Sequence, residues 1–255
     1  MIEILLVFAL AIGLAWPLGR YLAAVMRGAP MRGDRMFGWL ETPVYRLLGT
    51  DPLRGMSWRG YAKAFLLSNL AVGALVWVLF MTQAWLPLNP DAVPNMRWDL
   101  ALHTMVSFLT NTNQQHYSGQ AQLSYLAQMV GIVGLQVVTP MMGLALVVAT
   151  LRALFGGREK NAHDTGEADV GNYWADVVRA TVRFMLPLCL LWSVLLTAQG
   201  VPSTLAAGPT VAPIDASAQM AEQKIPLGPV AAMVAVKQLG TNGGGWYGPN
   251  SSVPL

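Results

Sequence analysis

The sequence predicts an all-α integral membrane protein: a leading spanning helix followed by units that cross, dip in and cross again. Three observations predict this class. The 255 residues are 54% hydrophobic and only 11% charged, against roughly 25% charged in soluble domains. Four apolar segments, residues 2–26, 62–86, 122–151 and 181–200, are long enough to cross a bilayer, which takes about 20 helical residues. Two more, residues 98–109 and 229–239, are too short to cross, and each runs into a polar loop.

The first segment is read as a retained membrane helix. It has Glu3 where a signal peptide carries basic residues, and Arg20 and Arg27 come only after the apolar part. The organisation that follows is residues 1–60 for the leading helix and a basic loop, 61–155 for a first span–dip–span unit, 156–180 for a polar loop, and 181–255 for a second unit up to its polar loop. In the third span, Thr139-Pro140 lies mid-segment. Proline deletes a backbone hydrogen bond there, so a kink, break or strong tilt is expected. Gly131, Gly134 and Gly143 in the same span read as helix-packing sites. Residues 201–227, with Pro202, Pro209, Pro213 and Pro226, read as an irregular loop.

Orientation follows from the basic residues. Arg20, Arg27, Arg32, Arg35, Arg46, Arg54, Arg59, Lys63, Arg152, Arg158, Lys160, Arg179 and Arg183 fall on one side, which is 13 of the 16. By the positive-inside rule that side is cytoplasmic, the N-terminus lies outside, and both dips enter from outside. The net charge of +3 is thereby explained by topology, and a nucleic-acid surface is not expected. Cys189, the single cysteine, forms no internal disulfide.

The two polar loops carry the chemistry. Thr110-Asn111-Thr112-Asn113-Gln114-Gln115 ends the first dip, and Gly240-Thr241-Asn242-Gly243-Gly244-Gly245 ends the second. Thr112-Asn113 and Thr241-Asn242 lie 129 residues apart, as do Gly119 and Gly248, which reads as a duplicated membrane unit. Non-helical backbone at membrane depth is tolerated only where it is buried in protein or lines a watery cavity. That is the geometry of a pore helix followed by a selectivity filter. Thr and Asn side chains can satisfy backbone N–H groups and leave carbonyls to face an ion. The glycines allow close backbone approach. The helix C-termini that lead into both loops carry partial negative charge, with Asp99 and Pro229 at the opposite ends. The cores of these loops hold no carboxylate and no base, so neutral oxygens favour a potassium-like ion. Gln115 is placed near the entrance.

Other residues are less informative. His103, His116 and His163 lack metal-ligand spacing. Lys237 lies in the second short segment, where an intramembrane charge is either functional or snorkels to the surface. The Gly-rich loop lacks the Lys-Ser or Lys-Thr of a phosphate-binding loop. No catalytic triad or carboxylate pair is apparent.

At these loops the sequence resembles the potassium-binding A subunit of the bacterial Kdp-type potassium-transporting ATPase. The resemblance rests on Pro17-Leu18-Gly19, Leu86-Pro87-Leu88-Asn89-Pro90, Trp98-Asp99-Leu100-Ala101-Leu102, Thr110 to Asn113, Tyr117-Ser118-Gly119, Leu123-Ser124-Tyr125, Gln128-Met129 and Leu239 to Gly245, along essentially the whole chain. It implies a potassium-channel-like transporter fold of four span–pore–span repeats, of which this chain holds about one and a half. It implies potassium held at Thr110, Asn111, Thr112, Asn113 and Gln115, and at Thr241, Asn242, Gly243, Gly244 and Gly245. ATP hydrolysis would reside on a P-type B subunit, with no ATP on this chain, and a C and a small F subunit would complete a complex of the bacterial inner membrane. The chain departs from the family pattern at Gln114, where Trp is usual, and at His103, where Asn is usual. A fourfold filter does not close with two loops, so the chain is expected to be a truncated product, or else another chain supplies the missing half. The alternatives to a pump subunit are a stand-alone channel-like potassium transporter and an inactive piece that only docks partners.

Overall fold

The computed structural model describes residues 2–112, 114–156, 168–214, 220–241, 243 and 245–248. The helices are α1 (Ile2–Arg27), α2 (Asp34–Leu47), α3 (Trp58–Thr82), α4 (Trp98–Leu109), α5 (Gly119–Gln122), α6 (Gly134–Phe155), α7 (Tyr173–Arg179), α8 (Leu186–Ala198) and α9 (Val230–Leu239). A 3₁₀ turn, Gln83–Trp85, extends α3. π-helical segments Ala127–Val133 and Ala180–Met185 lead into α6 and α8.

With these extensions, four continuous helices are long and apolar enough to cross a membrane: Ile2–Arg27, Trp58–Trp85, Ala127–Phe155 and Tyr173–Ala198. They occupy the four segments expected from the sequence, and α4 coincides with the first short one. The molecule is a multi-pass membrane protein. Three expectations need correction. The third span continues as α-helix through Pro140, so it does not break there, and a π-helical segment lies upstream. The basic loop contains α2, whose Glu41 and Tyr45 are buried although the segment is polar overall. Residues 201–227 contain a short antiparallel ladder in which Thr210 pairs with Lys224 and Val211 with Gln223.

Backbone contacts divide the chain into two compact units, residues 1–65 with 141–186 and residues 66–140 with 187–255. The first unit is held by buried ions. Arg183 meets Glu41 in a two-point pair at 2.5 and 2.8 Å and also reaches Asp34 at 2.6 Å. Arg152 meets Asp176 at 2.5 and 3.0 Å and donates to the Met26 and Val170 carbonyls. The Tyr61 hydroxyl lies 2.9 Å from Asp176 Oδ2 and 2.8 Å from the Ala145 carbonyl. Two of the basic residues read only as orientation signals are thus structural. A buried guanidinium needs a carboxylate and filled hydrogen bonds to offset its lost hydration.

The second unit has an apolar core that includes Phe80, Phe108, Leu123, Ile132, Met233 and Trp246. Gly131 is necessary to it, because a Cβ there would stand 2.6 Å from the Phe80 ring. Gly134 and Gly143 have nothing within 4 Å of an added Cβ, so the packing role assigned to all three holds for Gly131 alone among described contacts. Gln83, fully buried, spans the unit: its amide nitrogen donates to the Pro94 and Gln122 carbonyls, and its oxygen accepts from Ser124 N–H. Both amide hydrogens and the amide oxygen of that side chain are bonded, which is what allows it to sit in an apolar core.

Candidate ion-binding loops

Both polar loops begin in the same way. α4 ends at Leu109 with Thr110 as its cap, and α9 ends at Leu239 with Gly240 as its cap. The next residues, Asn111 and Thr241, are both left-handed, at φ +55° and +57°. For Thr, a β-branched residue, that conformation is costly and must be imposed by its surroundings. Helix end, cap and left-handed residue therefore correspond at a spacing of 130. Tyr117 and Tyr247 keep this spacing. The Thr-Asn match in the sequence gave 129; the backbone instead aligns Asn111 with Thr241.

In the first loop the chain folds back on the end of α4. Thr112 N–H donates to the Ser107 carbonyl at 2.9 Å, and Gln114 N–H donates to Ser107 Oγ at 2.8 Å. The Thr110 and Thr112 hydroxyls lie 2.7 Å apart. Thr139, from α6, donates to Asn111 Oδ1 at 2.6 Å. In the second loop the opening residue packs on α6. A Cβ on Gly240 would stand 2.7 Å from the Gln136 carbonyl and 3.0 Å from Pro140 Cγ. Pro140 has no N–H to bond that carbonyl, so the helix surface is open where Gly240 approaches. One turn away the Gln136 side chain, fully buried, donates to the Gly243 carbonyl at 2.7 Å.

The two loops are joined by Gln115. Its amide oxygen accepts from Gly245 N–H at 3.2 Å, and its amide nitrogen donates to the Gly245 carbonyl at 3.3 Å. The residue assigned to the entrance is therefore the bridge between the loops. Thr110, Asn111, Thr112 and Thr241 are exposed, Gln115 and Gly243 are half-buried, and Gly245 is buried. Asn113, Asn242 and Gly244, also assigned to the filter, lie outside the described residues. Among the described residues no group of three or more His, Cys, Asp or Glu side chains could hold a metal ion. What the loops offer a cation is neutral oxygen: threonine hydroxyls, the Asn111 amide and main-chain carbonyls. Nearby Tyr117 is buried, and loss of hydration raises its phenol above the ordinary value. The His103 and His116 rings stack edge to face at 4.4 Å.

Sequence reasoning missed Gln136, Thr139 and Ser107. The signal was present, since a glutamine and a threonine inside an apolar span are expensive unless they serve something.

A family model described as the potassium-transporting ATPase A subunit matches residues 5–255. The chain belongs to that family. Potassium-transporting ATPase potassium-binding subunits are similar along its whole length. The one from Alicyclobacillus acidocaldarius is 42% identical over 254 residues, covering 100% of this chain and 43% of the relative. That of Pseudomonas aeruginosa is 44% identical over 256 residues, covering 99% of this chain and 43% of the relative. The chain thus spans less than half the length of these A-subunit relatives.

Proposed function

We propose that this chain is part of the potassium-binding and translocating subunit of an ATP-driven, high-affinity potassium uptake system. In this reading the oxygens of the two polar loops hold the ion. One observation carries it: two short apolar helices, α4 and α9, end in equivalent left-handed turns whose neutral loops are tied together by Gln115 and Gly245. A monovalent cation stripped of water needs several neutral oxygens held at fixed spacing. The hydrogen bond that Ser107 Oγ accepts from Gln114 N–H, and those donated by Thr139, Gln136 and Gln115, supply that fixing. They also decide which oxygens remain. The Gly243 and Gly245 carbonyls each accept one donor from a described residue, so at most one lone pair of each is left for an ion.

The same reading places the subunit in the bacterial inner membrane with its N-terminus outside. ATP hydrolysis falls to a B subunit, and C and small F subunits complete the complex. The rest of the second repeat and two further repeats, on a longer chain or another one, would close the pore. The test is growth at limiting potassium in a strain that lacks its own A subunit but keeps the partners. Rescue is expected from the chain extended by the missing repeats, with uptake that requires ATP. Uptake without ATP or partners would favour a stand-alone transporter. Co-purification of the partners without any ion flux would favour a docking piece. Failure of the extended chain to transport potassium would overturn the assignment.

A further inference from the structure

Away from the polar loops, α1 and α6 end at one cavity. α1 stops at Gly28, φ +64°, where Gly28 N–H bonds the Val25 carbonyl and Ala29 N–H bonds the Ala24 carbonyl, each at 3.0 Å. This is a glycine-terminated helix end. A Cβ on Gly28 would stand 2.9 Å from Nη1 of Arg179, so the absence of a side chain lets that guanidinium lie against the helix end, next to Arg27. The cavity there, about 410 Å³, is lined by Arg27, Arg152 and Arg179 and by Asp169 and Asp176. Three arginines against two aspartates leave one excess positive charge. Arg152 is paired with Asp176. Among the described residues, the ion pairs of this unit engage Arg152 and Arg183 and leave Arg27 and Arg179 out.

The cavity adjoins a groove, with which it shares four lining residues. Met26, Arg27, Arg152 and Gly156 also line a cleft of about 730 Å³ between α1 and α6. The rest of the cleft is apolar: Gly19 and Ala23 keep the α1 wall low, and Leu144, Val148 and Leu151 form the α6 wall. The charged pocket is at the helix ends, where the chain leaves the hydrocarbon region, and the apolar cleft runs from it along the two helices. The complement of that surface is a molecule that is apolar along its length with one negative charge at its end.

We propose that this cleft binds an anionic phospholipid, with its phosphodiester between Arg27 and Arg179 and one acyl chain between α1 and α6. Cations beside a helix end attract anionic headgroups, and the apolar cleft adds burial of acyl carbons. A free phosphate ion would leave the cleft unused.

The test is native mass spectrometry of the chain purified in detergent after exchange with vesicles of phosphatidylglycerol or phosphatidylcholine. A single phosphatidylglycerol is expected to be retained, and phosphatidylcholine lost. Arg27 is exposed, so Arg27→Gln keeps the fold and should lower retention about fivefold. Val148→Trp should abolish retention with both arginines intact. If it fails to fold, Ala23→Phe fills the cleft from the other helix. Equal retention of the two lipids, or unchanged retention in Arg27→Gln, would overturn the proposal. So would displacement by inorganic phosphate, which would reduce it to an ion site. The same assay on the extended subunit should also retain phosphatidylglycerol, and its loss there would show that protein fills the cleft.

Discussion

Gln115 and Gly245 exchange two hydrogen bonds, at 3.2 and 3.3 Å, across 130 residues of sequence. No other side chain among the described residues bonds both main-chain groups of a residue in the opposite loop. Gln115→Ala removes both bonds. At roughly 0.5–1.5 kcal/mol each, the half-saturating potassium concentration of the extended subunit should rise about tenfold, with little change in melting temperature. An uptake titration checks this, and unchanged affinity would remove Gln115 from the site.

Gln136 separates a positioning role from a structural one. Gln136→Leu keeps the volume, removes the donor to the Gly243 carbonyl at 2.7 Å, and also removes an amide oxygen buried without a partner. The fold should be as stable or slightly more so. Discrimination between potassium and sodium should weaken, because the Gly243 carbonyl is no longer held. Loss of stability with unaltered discrimination would count against this role.

The ion pair of the first unit predicts a strong asymmetry. Glu41→Leu alone leaves the Arg183 guanidinium largely buried without its two-point partner and should cost about 3–5 kcal/mol. Glu41→Leu combined with Arg183→Met should recover most of that loss. Thermal unfolding of the four proteins of this cycle in detergent measures it.

Glycine packing gives a contrast within one helix. Gly131→Ala drives a methyl against the Phe80 ring, where the gap is 2.6 Å, and should destabilise by about 1–3 kcal/mol. Gly134→Ala meets nothing within 4 Å and should be neutral or slightly stabilising, because alanine is the better helix former. Equal melting temperatures for the two variants would contradict the packing described.

Acid sensitivity is expected from Asp34. Its carboxyl is held below the ordinary value of 3.8, first by the Met31 N–H and further by Arg183. A carboxyl depressed in the folded state adds stability above its unfolded value and loses it as pH falls below that value. Asp34→Asn should therefore flatten the stability curve below pH 3.8 and leave its shape near neutrality unchanged. An unaltered acid limb would assign the sensitivity elsewhere.

The fold was legible where chemistry alone dictates it. Segments of the length and apolarity of 2–26 or 62–86 have no stable place except across a bilayer, and α4 stops after Leu109 where the polar run begins. The loops were legible too, because Thr-Asn and Gly-rich runs after too-short helices have few uses. The spacing was misread by one residue, since dipeptide identity suggested 129 while the shared left-handed turn at Asn111 and Thr241 sets 130. Backbone conformation, not residue type, defines the equivalence. The ion pairs Arg183–Glu41 and Arg152–Asp176 join residues 142 and 24 apart, and no local pattern marks them.

By itself, then, the sequence determined the class, the spans and the two polar loops, because hydrophobic length and loop composition are local properties. Only the tertiary structure decided that Gln115 bridges the loops, that Gln136 and Thr139 brace them, and which arginines pair. Each of those is a choice of partner, and a partner far along the chain becomes available only once packing has brought it within 3 Å or so, the reach of a hydrogen bond.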